Sequence, residues 1–176
     1  MAVEIRTGLA ADADAIAALH TESWRTAYAG IMPEAYLEGP LPATHRNLWK
    51  ARAESEPYLN GGDPPCLLVA EDEAGIGAFA YLVPERDGRV LVDNLHVRPT
   101  LKRSGLGSRL MGLGLGWAAE HHPGKTVYLE VLRDNAPARA FYERMGGRPG
   151  KEFVERFHAG FDLDVMEYTW SPLTGR

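Results

Sequence analysis

An α/β (α+β) fold in one domain is what the order of elements along this chain predicts. It would hold a mixed, mostly antiparallel sheet of about seven strands with helices on both faces. Three observations carry the expectation. Segments of strand-like and helix-like apolar spacing follow one another in the order βαα-βββ-α-β-α-ββ, which implies a mixed sheet. At 176 residues the chain fits one domain, residues 1–176, with a length that can bury a real core. Only SEPYLNGGDPPC, Ser55 to Cys66, reads as a linker, and it is too short to demand two domains.

The elements are taken in chain order. VEIR, Val3 to Arg6, reads as a short first strand. Asp12 and Asp14 are candidate N-caps for a helix whose stripe runs through Ile16, Leu19, Ser23 and Ala27. The far end of that helix carries Glu22, Trp24 and Tyr28 ahead of the break AGIMP, and a second helix is expected over Ala43 to Glu54. Cys66 to Val97 then gives three strands joined by two tight turns, with Asp87-Gly88 a hairpin signal. A helix follows from about Gly105 to His121, then the strand TVYLEVL, Thr126 to Leu132. The helix beginning near Asn135 sets Ala138, Phe141, Tyr142 and Met145 on one face and is ended by Gly146-Gly147. Two last strands, near Phe153 to His158 and Asp162 to Trp170, meet at the turn AGF.

Composition narrows the function. A formal charge of -5 argues against broad binding to nucleic acid and favours a cationic substrate. The single cysteine, Cys66, excludes an internal disulfide framework and fits a reducing compartment. MAVEIRTG does not read as a signal peptide, and no stretch approaches the roughly 20 apolar residues of a membrane helix, so a cytoplasmic protein is expected. His121 and His122 are adjacent on a helix end and point about 100° apart, so they form no metal pair, and no metal is expected.

Three phosphate-binding junctions compete for the basic, glycine-bearing stretch from Leu95 to Met111. A dinucleotide fold wants G-x-G-x-x-G directly after a strand in a parallel unit, but here the phase G105-L-G107-S-R-L110 lacks the third glycine. AEHHPGKT, Ala119 to Thr126, nearly matches a P-loop, yet it closes a helix and opens a strand, the reverse of what the phosphates need. The third option fits. V97-R-P-T-L-K102-R-S-G105-L-G107 resembles motif A of the GNAT superfamily of acyl-CoA-dependent N-acetyltransferases, with Lys102 in place of the usual Gln or Arg. N135-APARAFY142-ERMG146 is similar to a second signature of that family, and Gly147 departs from it where an aromatic residue is common. Physically, glycines at 105 and 107 let backbone N–H groups approach a pyrophosphate, and the following helix N-terminus adds its dipole. Gly112, Gly114 and Gly116 lie within the helix and point to close helix–sheet packing.

The resemblance implies a GNAT fold with two adjacent parallel strands splayed into a slot. Coenzyme A, carried as acetyl-CoA, would lie along Leu95, His96 and Val97, with its pyrophosphate on Lys102, Arg103, Ser104, Gly105, Leu106, Gly107 and Ser108 and with Asn135 alongside. Tyr142 matches the family tyrosine that hydrogen-bonds the sulfur, against the alternative of a core aromatic. Glu130, twelve residues before Tyr142, is the candidate base, an offset similar to that of the ribosomal-protein N-terminal alanine acetyltransferases; a structural salt bridge is the alternative, and Asp93 is the next candidate. His96 is read as a packed histidine that lends its backbone. Acceptor recognition is assigned to Glu22, Trp24, Tyr28 and Tyr36 and to the final hairpin. Cys66 lies far from both motifs, so direct attack by the amine is expected. The acceptor stays open between a small-molecule amine and a peptide N-terminus, a homodimer is common in such a family, and a non-catalytic acyl-CoA-binding module is the rival reading.

Overall fold

The computed structural model describes residues 2–55 and 63–171. Seven strands, β1 (Glu4–Thr7), β2 (Cys66–Asp72), β3 (Gly75–Pro84), β4 (Val90–Val97), β5 (Val127–Leu132), β6 (Arg148–Arg156) and β7 (Asp162–Trp170), form one sheet. Their order is β1-β2-β3-β4-β5-β7-β6. Every neighbouring pair is antiparallel except β4 and β5, which run parallel and pair only at Val90↔Val127 and Leu91↔Tyr128. Beyond Leu91 the two strands part, and the functional cleft opens there.

The helices are α1 (Ala13–Ala27), α2 (Glu34–Glu38), α3 (Leu41–Glu54), α4 (Leu106–His121) and α5 (Ala136–Arg144). On one face, Leu106, Leu110, Met111 and Ala118 of α4 bury against Ala78, Leu82, Val92, Leu129 and Tyr168 of the strands, and α5 adds Ala138, Phe141 and Tyr142. On the other, Ile16 and Leu19 of α1 and Trp49 of α3 close over Val69 and Phe79. A third cluster joins Tyr36 and Leu37 of α2 to Leu132, Leu163 and Val165. Each fully buried side chain of this kind contributes roughly 1.5–3 kcal/mol. Among the described residues no helix is long and apolar enough to cross a membrane.

Local structure departs from the sequence reading in four places. The short helix α2 was not expected, and α3 starts at Leu41 because Pro42 suits a first helical turn. A 3-10 turn, Ala10–Asp12, precedes α1, and the Asp12 carboxylate accepts the Leu9 amide at 2.7 Å and pairs with Arg6 instead of capping α1. β6 begins at Arg148 rather than near Phe153. A proline fits an edge strand, and the ladder absorbs Pro149 and Gly150 in an irregularity between Pro149 and Glu152. The glycine stripe of α4 is only partly a packing device. A Cβ at Gly114 would lie 3.0 Å from Leu82, whereas Gly112 and Gly116 face open space. The P-loop-like Ala119–Thr126 ends α4 and leads into β5. Residues 56–62 of the expected linker lie outside the described residues.

Candidate active site

The cleft between β4 and β5 has a volume of about 920 Å³. Its floor comes from Val92, Leu129 and Val131, and its walls from α1, the turn before α4, and α5. The splay has a local cause in β4. Tyr81 pairs with Asn94 and Leu82 with Val92, so Asp93 is an extra residue in the ladder, a β-bulge that bends the strand. Arg52 of α3 clamps this bulge. It ion-pairs with Asp93, donates to Asn94 Oδ1 at 2.8 Å, and lies over the rings of Trp49 and Tyr81 at 4.6 and 4.3 Å. Asp93 therefore lines the cleft with its charge already engaged.

The turn before α4 is built to take an anion. Arg103 has φ 66° and Gly105 has φ 84°, and Gly105 is the N-cap of α4. A glycine cap brings no side-chain oxygen, so the first-turn amides of Leu106, Gly107 and Ser108 have no intrahelical acceptor and face the cleft with the helix dipole behind them. No atom lies within 4 Å of a Cβ placed on Gly105. Lys102 and Arg103 add positive charge at the same rim. These residues fit a pyrophosphate. Gly107 is different in kind, since its missing Cβ would sit 3.6 Å from both Phe141 and Val97, an ordinary contact.

Across the cleft, α5 starts at Asn135, whose Oδ1 accepts the Ala138 amide at 3.4 Å, and ends where Gly146 adopts φ 87°. This short helix directs Asn135, Phe141 and Tyr142 to the cleft. Burial raises the Tyr142 hydroxyl above the free phenol value, and nearby Tyr28 adds to the shift, so Tyr142 stays protonated. Glu130 opens into the same space from β5. Although its side chain is solvent-reachable, the walls thin its hydration, and Glu155 and Glu167 reinforce this against the pull of Lys151 and Arg89. The result is a carboxyl raised above the ordinary range. Among the described residues Glu130 has no ion pair or side-chain hydrogen bond. The structural salt bridge instead belongs to its cross-strand neighbour Glu167, held by Arg89 at 3.1 Å and Lys151 at 3.7 Å.

His96 does more than lend its backbone. Its ring lines the cleft, its Nδ1 lies 2.9 Å from Ser23 Oγ, and its centroid is 4.7 Å from that of His20. His20 stacks on His45 at 3.6 Å with the two rings nearly parallel, and His45 Nδ1 meets Thr21 Oγ1 at 2.9 Å. Trp49 Nε1 donates to His20 Nδ1 at 3.0 Å, which leaves no room for a proton on that nitrogen. Desolvation, with the neighbouring rings and cations, keeps all three histidines neutral, holding His45 at about 4 and His96 at about 3 and His20 lower still.

Of the four acceptor-side candidates, only Tyr28 lines this cleft; burial takes its hydroxyl to about 12. Trp24 packs on His20, His45 and Tyr28. Tyr36 is buried among Phe157, His158 and Phe161. Glu22 faces a separate shallow groove with Arg25 and Arg46. Sequence reasoning missed Arg52, Ser23 and the histidine stack as one unit, because each contact joins distant segments. Cys66 is buried in the core of the sheet, and desolvation pushes its thiol up to about 11.

A family model described as the acetyltransferase (GNAT) family matches residues 17–147, well over half of the chain. The chain belongs to the GNAT acetyltransferase family. This GNAT chain is 27% identical over 98% of its length to a probable N-acetyltransferase of Mycobacterium tuberculosis, covering 87% of that protein. It is 28% identical to an uncharacterized N-acetyltransferase of Bacillus subtilis, over 98% of this chain and 95% of that one. Its fold matches that of the PaiA N-acetyltransferase of Thermoplasma acidophilum, solved with coenzyme A, with a TM-score of 0.73 at 20% identity, covering 97% of this chain and 100% of the other. The single-domain mixed sheet with its parted β4–β5 pair is thus the GNAT fold.

Proposed function

We propose that this acetyltransferase moves an acetyl group from acetyl-coenzyme A to a primary amine by direct attack, with both substrates bound at once. The observation that carries the reading is the convergence, in one cleft, of the anion-binding turn at Gly105, the free carboxyl of Glu130 and the protonated hydroxyl of Tyr142. Acetyl-coenzyme A supplies a thioester whose carbonyl carbon the amine attacks. The amides of Arg103 to Ser108 hold its pyrophosphate, with Lys102 and Arg103 supplying charge. Leu95, His96 and Val97 lie where β4 has left β5, so their inner backbone groups are released to pair with an extended ligand.

Glu130 removes the proton of the bound ammonium. Desolvation holds this carboxyl above the ordinary range, which makes its carboxylate a stronger base than an exposed one. Tyr142 stabilises the departing thiolate by hydrogen bonding. A free tyrosine is already a weaker acid than a thiol by about 2 kcal/mol, and burial widens that gap, so donation without transfer is the favoured role. Asp93, bound by Arg52, holds the bulge rather than the proton.

The test is a panel of amines, small molecules and peptide N-termini, assayed with acetyl-coenzyme A by release of free thiol. At least one amine should give thiol and acetylated product in equal amounts. Tight coenzyme A binding with no turnover on any class of amine would make the protein an acyl-CoA-binding module instead.

A further inference from the structure

Glu130 and Glu167 stand directly opposite each other on β5 and β7, so their carboxylates share one face of the sheet. Like charges in that position repel, and a glutamate only 8% exposed needs partners of opposite charge. Glu167 has two, each brought to it by a local device. The first is a bulge in β6. Pro149 pairs with Tyr168 and Glu152 with Met166, so Gly150 and Lys151 together face Glu167 alone. A Cβ on Gly150 would lie 3.4 Å from the Glu167 carbonyl oxygen, and Lys151 brings its Nζ to 3.7 Å from Glu167 Oε2. The second is the turn before β4, which supplies Arg89. Asp87 accepts Arg89 Nε at 2.8 Å, the Tyr128 ring lies 3.7 Å beneath the guanidinium, and Nη1 donates to Glu167 Oε2 at 3.1 Å. On its other side Glu130 has no strand beside it, because β4 has already left β5.

We propose that Glu167 is a positioning residue for the base: by engaging Arg89 and Lys151 it keeps the Glu130 carboxylate free to meet the ammonium of the acceptor. The role rests on the reading of Glu130 as that base. The charged groups acting on Glu130 are these two cations, Glu167 itself and Glu155 of β6. From across the cleft β4 brings Asp93, already paired with Arg52, and the neutral His96. Tyr28 of α1 and Tyr142 of α5 stay protonated there. The cleft's remaining cations, Lys102, Arg103 and Arg144, come from the turn before α4 and from the end of α5. Arg89 is pinned by Asp87 and Tyr128, whereas Lys151 is 61% exposed on a long flexible stem. Without the Glu167 carboxylate, Lys151 is released toward Glu130. A cation held there favours the ionised carboxylate, weakens it as a base and competes with the substrate ammonium.

Carboxyl-carbon NMR on the full chain labelled at glutamate reads the titration midpoint of Glu130 directly and needs no acceptor, with the signal assigned from Glu130→Gln. Glu167→Gln should lower that midpoint by about 1–3 pH units. Lys151→Met alone should move it little, because Glu167 already holds that ammonium. In the Glu167→Gln background the same change should recover a clear part of the fall, and this non-additivity is what separates shielding from two independent charges. The acidic limb of kcat/KM, measured on an amine that is turned over, should move in the same order. Glutamine fills the same volume and keeps an oxygen for Arg89, and thermal melting confirms that each variant folds. A midpoint unmoved by Glu167→Gln, or effects of the two changes that merely add, would overturn the proposal and leave Glu130 as the base. An acidic limb indifferent to Glu130→Gln would overturn the base, and the role of Glu167 with it.

Discussion

Mild acid should destabilise this protein far more than its carboxylates explain, and the histidine stack sets the size of the effect. His20 and His45 are buried and neutral in the folded chain, while each takes up a proton near its ordinary value of 6.5 once unfolded. The sign follows from linkage. A folded-state pKa below the unfolded one gives stability that is complete above about 6.5 and is lost as pH falls toward the folded value. Between about pH 7.5 and about pH 5.5 each such histidine forfeits about RT ln 10, about 1.4 kcal/mol, so the two together lose about 3 kcal/mol. His96 borders the cleft and adds up to the same single share, for a total near 4 kcal/mol against a typical reserve of roughly 5–15 kcal/mol. Asp12, Glu71 and Asp87 have lowered values and titrate below this window. Urea unfolding at the two pH values reads the difference, and His45→Gln should reduce it by about one histidine's share. Equal stability at both pH values would refute the neutral stack.

The site yields further expectations. Glu130→Gln should lower kcat/KM by roughly 10²–10⁴ at neutral pH, with partial recovery as rising pH deprotonates the amine and a larger loss for a lysine-like amine than for an α-amine. A uniform loss in the pH–rate profile would make Glu130 a positioning group. Gly105→Ala forces a side chain into φ 84°, which costs about 1–2 kcal/mol and lowers Tm by roughly 2–8 °C, whereas Gly107→Ala, with its Cβ in ordinary contact, should melt like the wild type. Cys66→Ala should keep its activity, because a buried thiol at about 11 is not a nucleophile at neutral pH; acetyl trapped on Cys66 would reverse this.

What could be read from sequence was what a short segment determines by itself. Gly105 ahead of an apolar helix, Asn135 at the start of α5 and Gly146 at its end each answer a local backbone demand, and all stand where the pattern placed them. The parting of β4 from β5 came through family resemblance, since nothing in either strand's own alternation announces it. The clamp of Arg52 on Asp93 spans 41 residues and the Ser23–His96 contact 73, distances over which periodicity carries no information. His20 drew no attention in the sequence because its partners Trp49, Asn94 and His96 arrive from α3 and β4. The early start of β6 was missed for the opposite reason, because pairing with β7 carries the strand through Pro149-Gly150, where local propensity opposes one. Glu22 stood beside Trp24 in sequence, but the helical turn between them faces Glu22 away from the cleft.

Coenzyme A affinity, measured by titration calorimetry on the wild type and on Gly107→Val, tests the central claim most directly. The account predicts one coenzyme A per chain for the wild type, no binding of a nicotinamide dinucleotide, and loss of coenzyme A binding in a Gly107→Val variant that still melts cooperatively, because methyls beyond a Cβ already 3.6 Å from Phe141 and Val97 would push these cleft-lining side chains into the ligand's space. Equal affinity in the wild type and a folded Gly107→Val variant would contradict it.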